Sequence, residues 1–475
     1  MQSTSTSATD AEPYDVTVVG AGVVGSAVAR ELSGHRLRVA LVDARDDVGD
    51  VTSKANTAIL HTGFDAKPGS LESRLVHEGY LLLGEYAQLA GIPVERTGAL
   101  LVAWTAEQLE ALPGLRQKAE VNGYHETFQI TAEQVYEREP RLGPGALGGL
   151  VVPGESIICP WTTTLAYATE AKARGADLLL GRRVTGVRVD ADLTVLDTGA
   201  GPIRTRWVVN AAGLGSDHLD QAFGFDRFTV TPRRGELFVF DKLTRPLVAE
   251  ILLPVPSAKG KGVLISPTIY GNVMLGPTAE DLTDRTDTST SAAGFAQLLA
   301  KGRTILPELL EAEVTATYAG LRAATEHSDY VVEIDPGQRY LCLGGIRSTG
   351  LTSSMALAAH AAGLLADAGL ELVPREVPPP PLMPWIGEVG TRPYADAVRI
   401  AADPAYGEMV CFCERVTRGE IRDALASPIP PGDRGGLARR TRATNGRCQG
   451  FFCGARVDEL LGARVPDGPA SKGGN

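Results

Sequence analysis

Four of the six cysteines stand in two pairs near the end of the chain, Cys411-Phe412-Cys413 and Cys448-Gln449-Gly450-Phe451-Phe452-Cys453. A C-x-C followed by a C-x4-C brings four thiolates to one compact unit. That is enough for a [2Fe–2S] cluster, with two sulfurs on each iron. A tetrahedral zinc site on the same sulfurs is the alternative, although C-x2-C is the commoner zinc spacing, and free thiols are the third reading. Arg434, Arg439, Arg440, Arg442 and Arg447 fall between the pairs with no acid among them. They either offset the charge of a cluster, dock a partner, or form a solvated basic face. Cys159 and Cys342 are isolated among apolar residues and read as core.

The other concentration of chemistry lies near the start. Val16-Thr17-Val18-Val19 leads into Gly20, Gly22 and Gly25, residues 26–32 can form a helix, and a second apolar stretch ends on Asp43. This is the βαβ dinucleotide fingerprint. The first glycine permits the tight turn, the second lets the backbone approach a pyrophosphate, and the third lets helix and strand pack closely. Strand, helix and terminal acid together are far more specific than the glycines alone. The motif does not separate FAD from NAD.

These groups need elements to place them. Helical spacing of Leu71, Leu75, Tyr80, Leu83 and Tyr86 predicts a helix over 70–89, and 94–103 reads as paired strands. Helices follow over 107–121 and 165–174. Short strands occupy 184–189 and 193–198, and a buried strand from 206 ends in the small residues 211–213. From 228 to 275 the chain turns to strands broken by Pro and Gly, as an antiparallel substrate sheet would be. Residues 292–306 form a helix after a polar N-cap. A further strand spans 339–345 and a small-residue helix spans 352–368. The run Pro378-Pro379-Pro380-Pro381 then marks an extended, semi-rigid linker before the cysteine unit.

At 475 residues, two or three domains are expected. Hydrophobic content of 44% and charged content of 22% are ordinary for a globular protein. A net charge of −11 argues against general nucleic-acid binding or adhesion to an anionic membrane. No apolar run reaches the roughly 18 residues a membrane span requires. The first dozen residues are polar, without the basic start and apolar core of a signal peptide. A cytoplasmic location is expected, with peripheral association at the inner face of a membrane through a partner left open.

The cysteine unit resembles the ferredoxin-like domain of bacterioferritin-associated ferredoxins. It is similar above all to the C-terminal domain of anaerobic glycerol-3-phosphate dehydrogenase large subunits, which pair Arg-Arg-Thr-Arg with Cys-Gln-Gly (here Arg439 to Arg442 and Cys448 to Gly450). The first 370 residues resemble D-amino-acid-oxidase-type FAD oxidoreductases, in particular glycerol-3-phosphate and L-2-hydroxyglutarate dehydrogenases. The stretches that carry this include the run from Thr52 through His61 to Phe64, Asn210-Ala211-Ala212-Gly213-Leu214, Lys261-Gly262-Val263-Leu264, Leu275-Gly276-Pro277-Thr278, and Tyr318-Ala319-Gly320-Leu321-Arg322. The resemblance implies an α/β chain with three parts: a Rossmann-like two-dinucleotide FAD-binding fold, an antiparallel β-sheet substrate domain, and a small helical iron–sulfur domain. The expected FAD-binding segments are 13–95, 150–230 and 326–370, with the substrate domain in 96–149 and 231–325. The linker is 371–404 and the [2Fe–2S] domain 405–465, with tails at 1–12 and 466–475.

The resemblance also assigns residues. Gly20, Gly22 and Gly25 would cradle the pyrophosphate. Asp43 would hold the adenosine ribose, where the family usually has Glu. Ser53, Asn56 and Thr57 would line the ribityl and phosphate region, Val184 would contact adenine, and Gly213 would lie near the pyrophosphate. Gly345, Gly350, Leu351 and Thr352 would set amides against the flavin ring, where a helix N-terminus favours the reduced anion. His61 matches the family's histidine beside the flavin, either as the base for a hydroxyl proton or only to position the ring. Arg322 matches the arginine of the substrate pocket, where a guanidinium suits a carboxylate or phosphate; a buried ion pair is the plainer reading. Arg347 is a second anion-binding candidate, and nothing singles out Lys261 as catalytic. The implied function is an FAD-dependent dehydrogenase of a small anionic hydroxy compound. Glycerol 3-phosphate is the first candidate and an L-2-hydroxy acid the second. Electrons would pass through Cys411, Cys413, Cys448 and Cys453 to a quinone, ferredoxin or partner flavoprotein. Amine oxidation on the same fold is a competing reading, and an electron-transfer subunit without its own substrate is another.

Overall fold

The computed structural model describes residues 12–190, 193–256, 262–388 and 390–462. Residues 1–11, the tail at 466–475 and Lys261 lie outside the described residues. Two large sheets carry the architecture. In the first, Tyr14–Val19 runs parallel between Val39–Val42 and Ile203–Asn210, with Asp177–Leu179 at one edge. Ile203–Asn210 serves two neighbours in turn. Its first half pairs antiparallel with Thr194–Thr198, and its last residues pair parallel with Tyr340–Gly344. Helices Val23–Leu32, Leu71–Leu89, Pro160–Ala173 and Gly350–Asp367 pack together beside this sheet. Val16, Val18, Leu41, Val209 and Leu341 face them in one core, while Val19, Val208, Leu219, Phe223 and Tyr340 build another. Cover on both faces is why Val39–Val42 is a continuous apolar run without alternation.

Among the described residues the second sheet has nine strands. Its longest pair, Thr231–Phe240 and Val314–Ala324, is antiparallel and faces Gly235 with Gly320. Helix Ala292–Ile305 covers it through Leu298 against Phe238, Phe240 and Leu275. The structure corrects one expectation here. Val94–Glu95 and Ala99–Ala103 do not pair with each other. The first joins Ser156–Ile158 and the second joins Gly148–Val152. Gly98, at φ +69°, turns the chain from one sheet to the other between them.

The cysteine unit is a short hairpin, Met409–Cys411 with Val416–Thr417, followed by helices Arg418–Ala426, Arg434–Thr441 and Gly454–Gly462. Its core is Val410, Val416, Ile421, Leu425, Leu437 and Val457. The proline-rich segment before it lies along the body of the protein through backbone hydrogen bonds. Arg375 N donates to Gly34 O at 3.0 Å, Met383 N to Ala90 O at 2.8 Å and Glu388 N to Ile269 O at 2.9 Å. No helix among the described residues is long and apolar enough to cross a membrane.

Candidate functional site

A groove of about 610 Å³ opens at the carboxyl ends of the parallel strands, where an open α/β sheet presents its backbone to ligands. Val19 runs straight into Gly20, whose φ of +109° and close approach to Ala211 exclude a side chain: a Cβ there would stand 2.3 Å from Ala211 O. Gly20 and Gly22 line the groove, but Gly25 lies behind it. Gly25 instead lets helix Val23–Leu32 close on the turn, since a Cβ would come within 1.8 Å of Gly20 O. The helix N-terminus meets the groove at Val23, whose N–H donates to Ser53 Oγ at 2.9 Å. Asp43 accepts from Ala21 N at 2.6 Å and Arg45 N at 2.8 Å. Burial raises its pKa despite those donors.

Asn56, Thr57, Val184, Gly213, Gly345, Gly350 and Leu351 line the same groove, so these expected positions converge although they come from distant parts of the chain. Thr352 sits just behind the wall and accepts from the His61 backbone N–H at 3.0 Å. Arg285 lines the groove without having been marked in the sequence. It grips both oxygens of Asp217 at 2.5 and 2.7 Å. Burial opposes ionisation of Asp217, but Arg285 with the backbone N–H groups of Val230 and His218 outweighs it and holds that carboxyl below its usual range.

At the other end His61 and Arg347 line the groove. His61 Nδ1 lies 2.9 Å from Oε2 of Glu155. Glu155 is fully buried, and its second oxygen accepts from Thr62 N at 2.7 Å and Thr62 Oγ1 at 2.9 Å. Sequence reasoning missed Glu155: it sits in a Pro-Gly-Glu turn, and its partners His61 and Thr62 are 94 and 93 positions away in the chain. Arg322 is not on the groove wall. It stands on the strand Val314–Ala324 with Nη2 donating to Thr278 O at 2.8 Å. It forms no ion pair among the described residues, so the buried-ion-pair reading fails. Burial, with Arg233 adding to it, pushes its pKa down to about 10. Arg347 donates to Ser328 O at 2.7 Å.

The cysteine thiols come together two and two, Cys413 beside Cys448 and Cys411 beside Cys453, none in a disulfide. Nearby backbone N–H groups favour the thiolate form, those of Phe452, Gly450 and Phe451 at Cys448, Thr444 at Cys453, and Cys448 at Cys413. Amides aimed at sulfur suit thiolates carrying the negative charge of a cluster. Among the described residues, no three His, Cys, Asp or Glu side chains gather around one point as a single metal ion requires. Two pairs of sulfurs fit a two-iron cluster. Phe412, Phe451 and Phe452 of the cysteine loops are 74%, 84% and 79% exposed.

Three of the five arginines do not form a solvated face, whereas Arg434 and Arg447 are exposed. Arg439, Arg440 and Arg442 are buried. Arg440 binds both oxygens of Asp47 at 2.8 Å, and Arg439 reaches Asp47 at 2.6 Å and Asp50 at 2.7 Å. Arg442 donates to Glu414 at 3.1 Å and stands 4.3 Å over the Tyr270 ring, which stacks on Trp161. Trp161 Nε1 donates to Lys54 O at 3.0 Å. The cysteine unit is thereby docked against 47–54, the segment whose residues 50–53 wall the groove.

Comparison with known proteins agrees with this geometry. Residues 15–364 match the family described as FAD dependent oxidoreductase, and residues 409–463 match the BFD-like [2Fe-2S] binding domain. The glycerol 3-phosphate dehydrogenase of Caloramator mitchellensis is 34% identical over 453 residues, covering 94% of each chain. The L-2-hydroxyglutarate dehydrogenase of Indibacter alkaliphilus is 28% identical, covering 60% of this chain and 72% of its own. A dithionite-reduced L-α-glycerophosphate oxidase structure from Mycoplasma pneumoniae with FAD bound superposes with a TM-score of 0.75 at 28% identity. It covers 79% of this chain and all of its own.

Proposed function

The chain belongs to the FAD-dependent oxidoreductase family and carries a C-terminal BFD-like [2Fe–2S] domain; from that premise we propose that it is a dehydrogenase of a small anionic hydroxy compound, glycerol 3-phosphate first, delivering electrons through the cluster to an external one-electron acceptor. The observation that carries the reading is the full-length likeness to a glycerol 3-phosphate dehydrogenase, which extends over 94% of both chains. The glycerophosphate oxidase, by contrast, is covered whole by 79% of this chain, which leaves the remainder of this chain for a task beyond handing electrons to oxygen.

Bound FAD supplies a ring that accepts a hydride. The protein supplies the rest. Gly20, Gly22 and Gly213 offer backbone to the pyrophosphate, Asp43 takes the adenosine ribose, and Val184 meets the adenine. Ser53, Asn56 and Thr57 hold the ribityl side. Gly345 and the N-terminus of the helix from Gly350 through Leu351 to Thr352 would offer backbone amides to the ring. Gly25 supports the turn from behind. His61 accepts the hydroxyl proton at Nε2. Arg347 on the wall and Arg322, next in the chain to the groove residue Ala323, attract the substrate's anionic group; Arg322 retains guanidinium N–H groups beyond the one given to Thr278. Cys411, Cys413, Cys448 and Cys453 hold the cluster.

The test is anaerobic mixing of the holoenzyme with glycerol 3-phosphate, L-2-hydroxyglutarate, glycine and sarcosine, following the flavin's visible absorbance. Glycerol 3-phosphate bleaches the flavin, and a one-electron iron–sulfur EPR signal grows in behind it. Bleaching by an amine but not by either hydroxy compound refutes the proposal.

A further inference from the structure

We propose that Glu155 is the positioning residue of this reaction: it fixes His61 in the one tautomer that leaves Nε2 bare, and so makes His61 a base and not merely a wall of the groove. The inference rests on the reading of His61 given above.

The geometry supplies the argument. Glu155 sits in the turn before the strand Ser156–Ile158 with its side chain fully buried. Oε1 receives the N–H and O–H of Thr62, and Oε2 faces His61 Nδ1. A carboxylate can only accept, so the imidazole hydrogen belongs on Nδ1 and the lone pair on Nε2. Nε2 has no hydrogen-bond partner among the described residues. The backbone of His61 is fixed separately, by Thr352 Oγ1. Only rotation about the side-chain bonds is left, and Glu155 removes it.

The charge arrangement points the same way. Among the described residues Glu155 forms no ion pair with Lys or Arg; His61 is its one ionisable partner. A buried carboxylate without a cation is costly. When the substrate O–H proton passes to Nε2, its C–H electron pair leaves as hydride to the FAD oxidant and the alcohol carbon becomes a carbonyl. The imidazolium that forms is the counter-charge Glu155 lacks. The other titratable groups around the pair are Tyr80, whose hydroxyl donates to Gly154 O, and Tyr124, which accepts from Gly154 N, with Arg96 and Glu126 beyond them. Burial pushes both phenols above their ordinary range, so neither competes for the proton.

Two measurements test this. The first uses selective ¹⁵N-histidine labelling of the resting holoenzyme, with His61→Asn subtracted to assign the signal. The Nδ1–H tautomer is expected, and an Nε2–H tautomer overturns the proposal without any substrate being involved. The second is stopped-flow flavin reduction across pH. Glu155→Leu lowers the limiting rate by about 100-fold, the scale of a lost general base, while substrate affinity stays within about threefold. Glu155→Gln has one acceptor where Glu155 has two. The fixed Thr62 N–H holds its oxygen, so its amide N–H faces Nδ1 and the imidazole hydrogen moves to Nε2; the limiting rate falls on the same scale as in Glu155→Leu. A purely structural Glu155 would lower flavin content and melting temperature but leave the rate per bound flavin unchanged; that result refutes the proposal. If Glu155→Leu does not fold, Glu155→Gln and the wild-type tautomer decide. If no hydroxy compound reduces the flavin, the function reading fails while the tautomer result still stands for the pair.

Discussion

Asp47→Ala should loosen the iron–sulfur domain from the body without touching the flavin site. In the docked protein one carboxylate takes hydrogen bonds from Arg440 at 2.8 and 2.8 Å and from Arg439 at 2.6 Å. The side chains are 7% exposed for Asp47, 10% for Arg439 and 2% for Arg440. Removing one partner of a buried ion pair costs about 3–5 kcal/mol because the other charge is left unpaired. Arg439 keeps Asp50, and Arg440 keeps the carbonyls of Ile429 and Gly436. The lower end therefore applies: about 3 kcal/mol, or roughly 150-fold in the opening equilibrium. Limited proteolysis across 371–404 reads that equilibrium directly where opening is faster than cleavage, so cleavage should accelerate by up to about that factor. Reduction of the flavin by substrate stays unchanged, while onward reduction of the cluster slows. The pH dependence has a definite sign. Burial opposes ionisation of Asp47, but Arg440 and then Arg439 outweigh it, so the docked-state pKa is lowered. The contribution is full above the free carboxyl value of about 4 and drains away as pH falls through the docked-state value. Wild type thus gains protease sensitivity in acid, and Asp47→Ala lacks that limb. Equal cleavage rates and equal cluster reduction in the two proteins would refute the reasoning.

Gly25→Ala places a methyl carbon 1.8 Å from Gly20 O. Backbone must move, at a cost of at least about 1–3 kcal/mol, so purified protein should carry markedly less FAD; full flavin content with an unchanged melting temperature contradicts this. Arg322→Met removes charge-assisted hydrogen bonds worth about 1.5–3 kcal/mol each. The apparent KM for glycerol 3-phosphate should rise by about 10- to 150-fold with a smaller change in limiting flavin reduction, and an unchanged KM excludes Arg322 from substrate binding. Cys448→Ser should abolish the iron–sulfur EPR signal and turnover with one-electron acceptors, while substrate still bleaches the flavin. Retention of two irons per chain in that variant would exclude Cys448 as a ligand.

What the sequence makes legible is local. The run into Gly20, the helix behind it and Asp43 are contiguous, and their pattern dictates their geometry. The two cysteine pairs announce a four-thiol site in the same way. The groove's far wall, by contrast, was reached through resemblance, since Asn56, Gly213 and Gly350 acquire meaning only when the sheet brings them together. Three features were not legible. Glu155 carries no motif; burial and a partner 94 positions away define it. Arg285 and Asp217 are ordinary charged residues until they pair. The arginines between the cysteines left a solvated face and a charge-pairing role equally open, because the partner of Arg439 and Arg440, Asp47, lies near the other end of the chain. The misplaced 94–103 hairpin has the same cause, since alternation identifies strands but not the sheet each will join.

The segment from Asp47 to His61 concentrates these separate roles. Asp47 and Asp50 receive the iron–sulfur domain, and residues 50–53 with Asn56 and Thr57 wall the cofactor groove. Ser53 closes on the helix N-terminus at Val23, Lys54 O receives Trp161, and His61 ends the run against Glu155. None of this segment forms a long helix or strand: it holds one short turn, Thr52–Lys54, and two residues of strand at Ile59–Leu60. Its shape is therefore set by what packs on it. Thr52 Oγ1 anchors it to Leu321 O at 2.8 Å, one residue from Arg322, and Tyr318 hydroxyl donates to Asn56 O at 2.9 Å. Substrate strand, cofactor wall and cluster domain thus bear on one stretch of irregular chain.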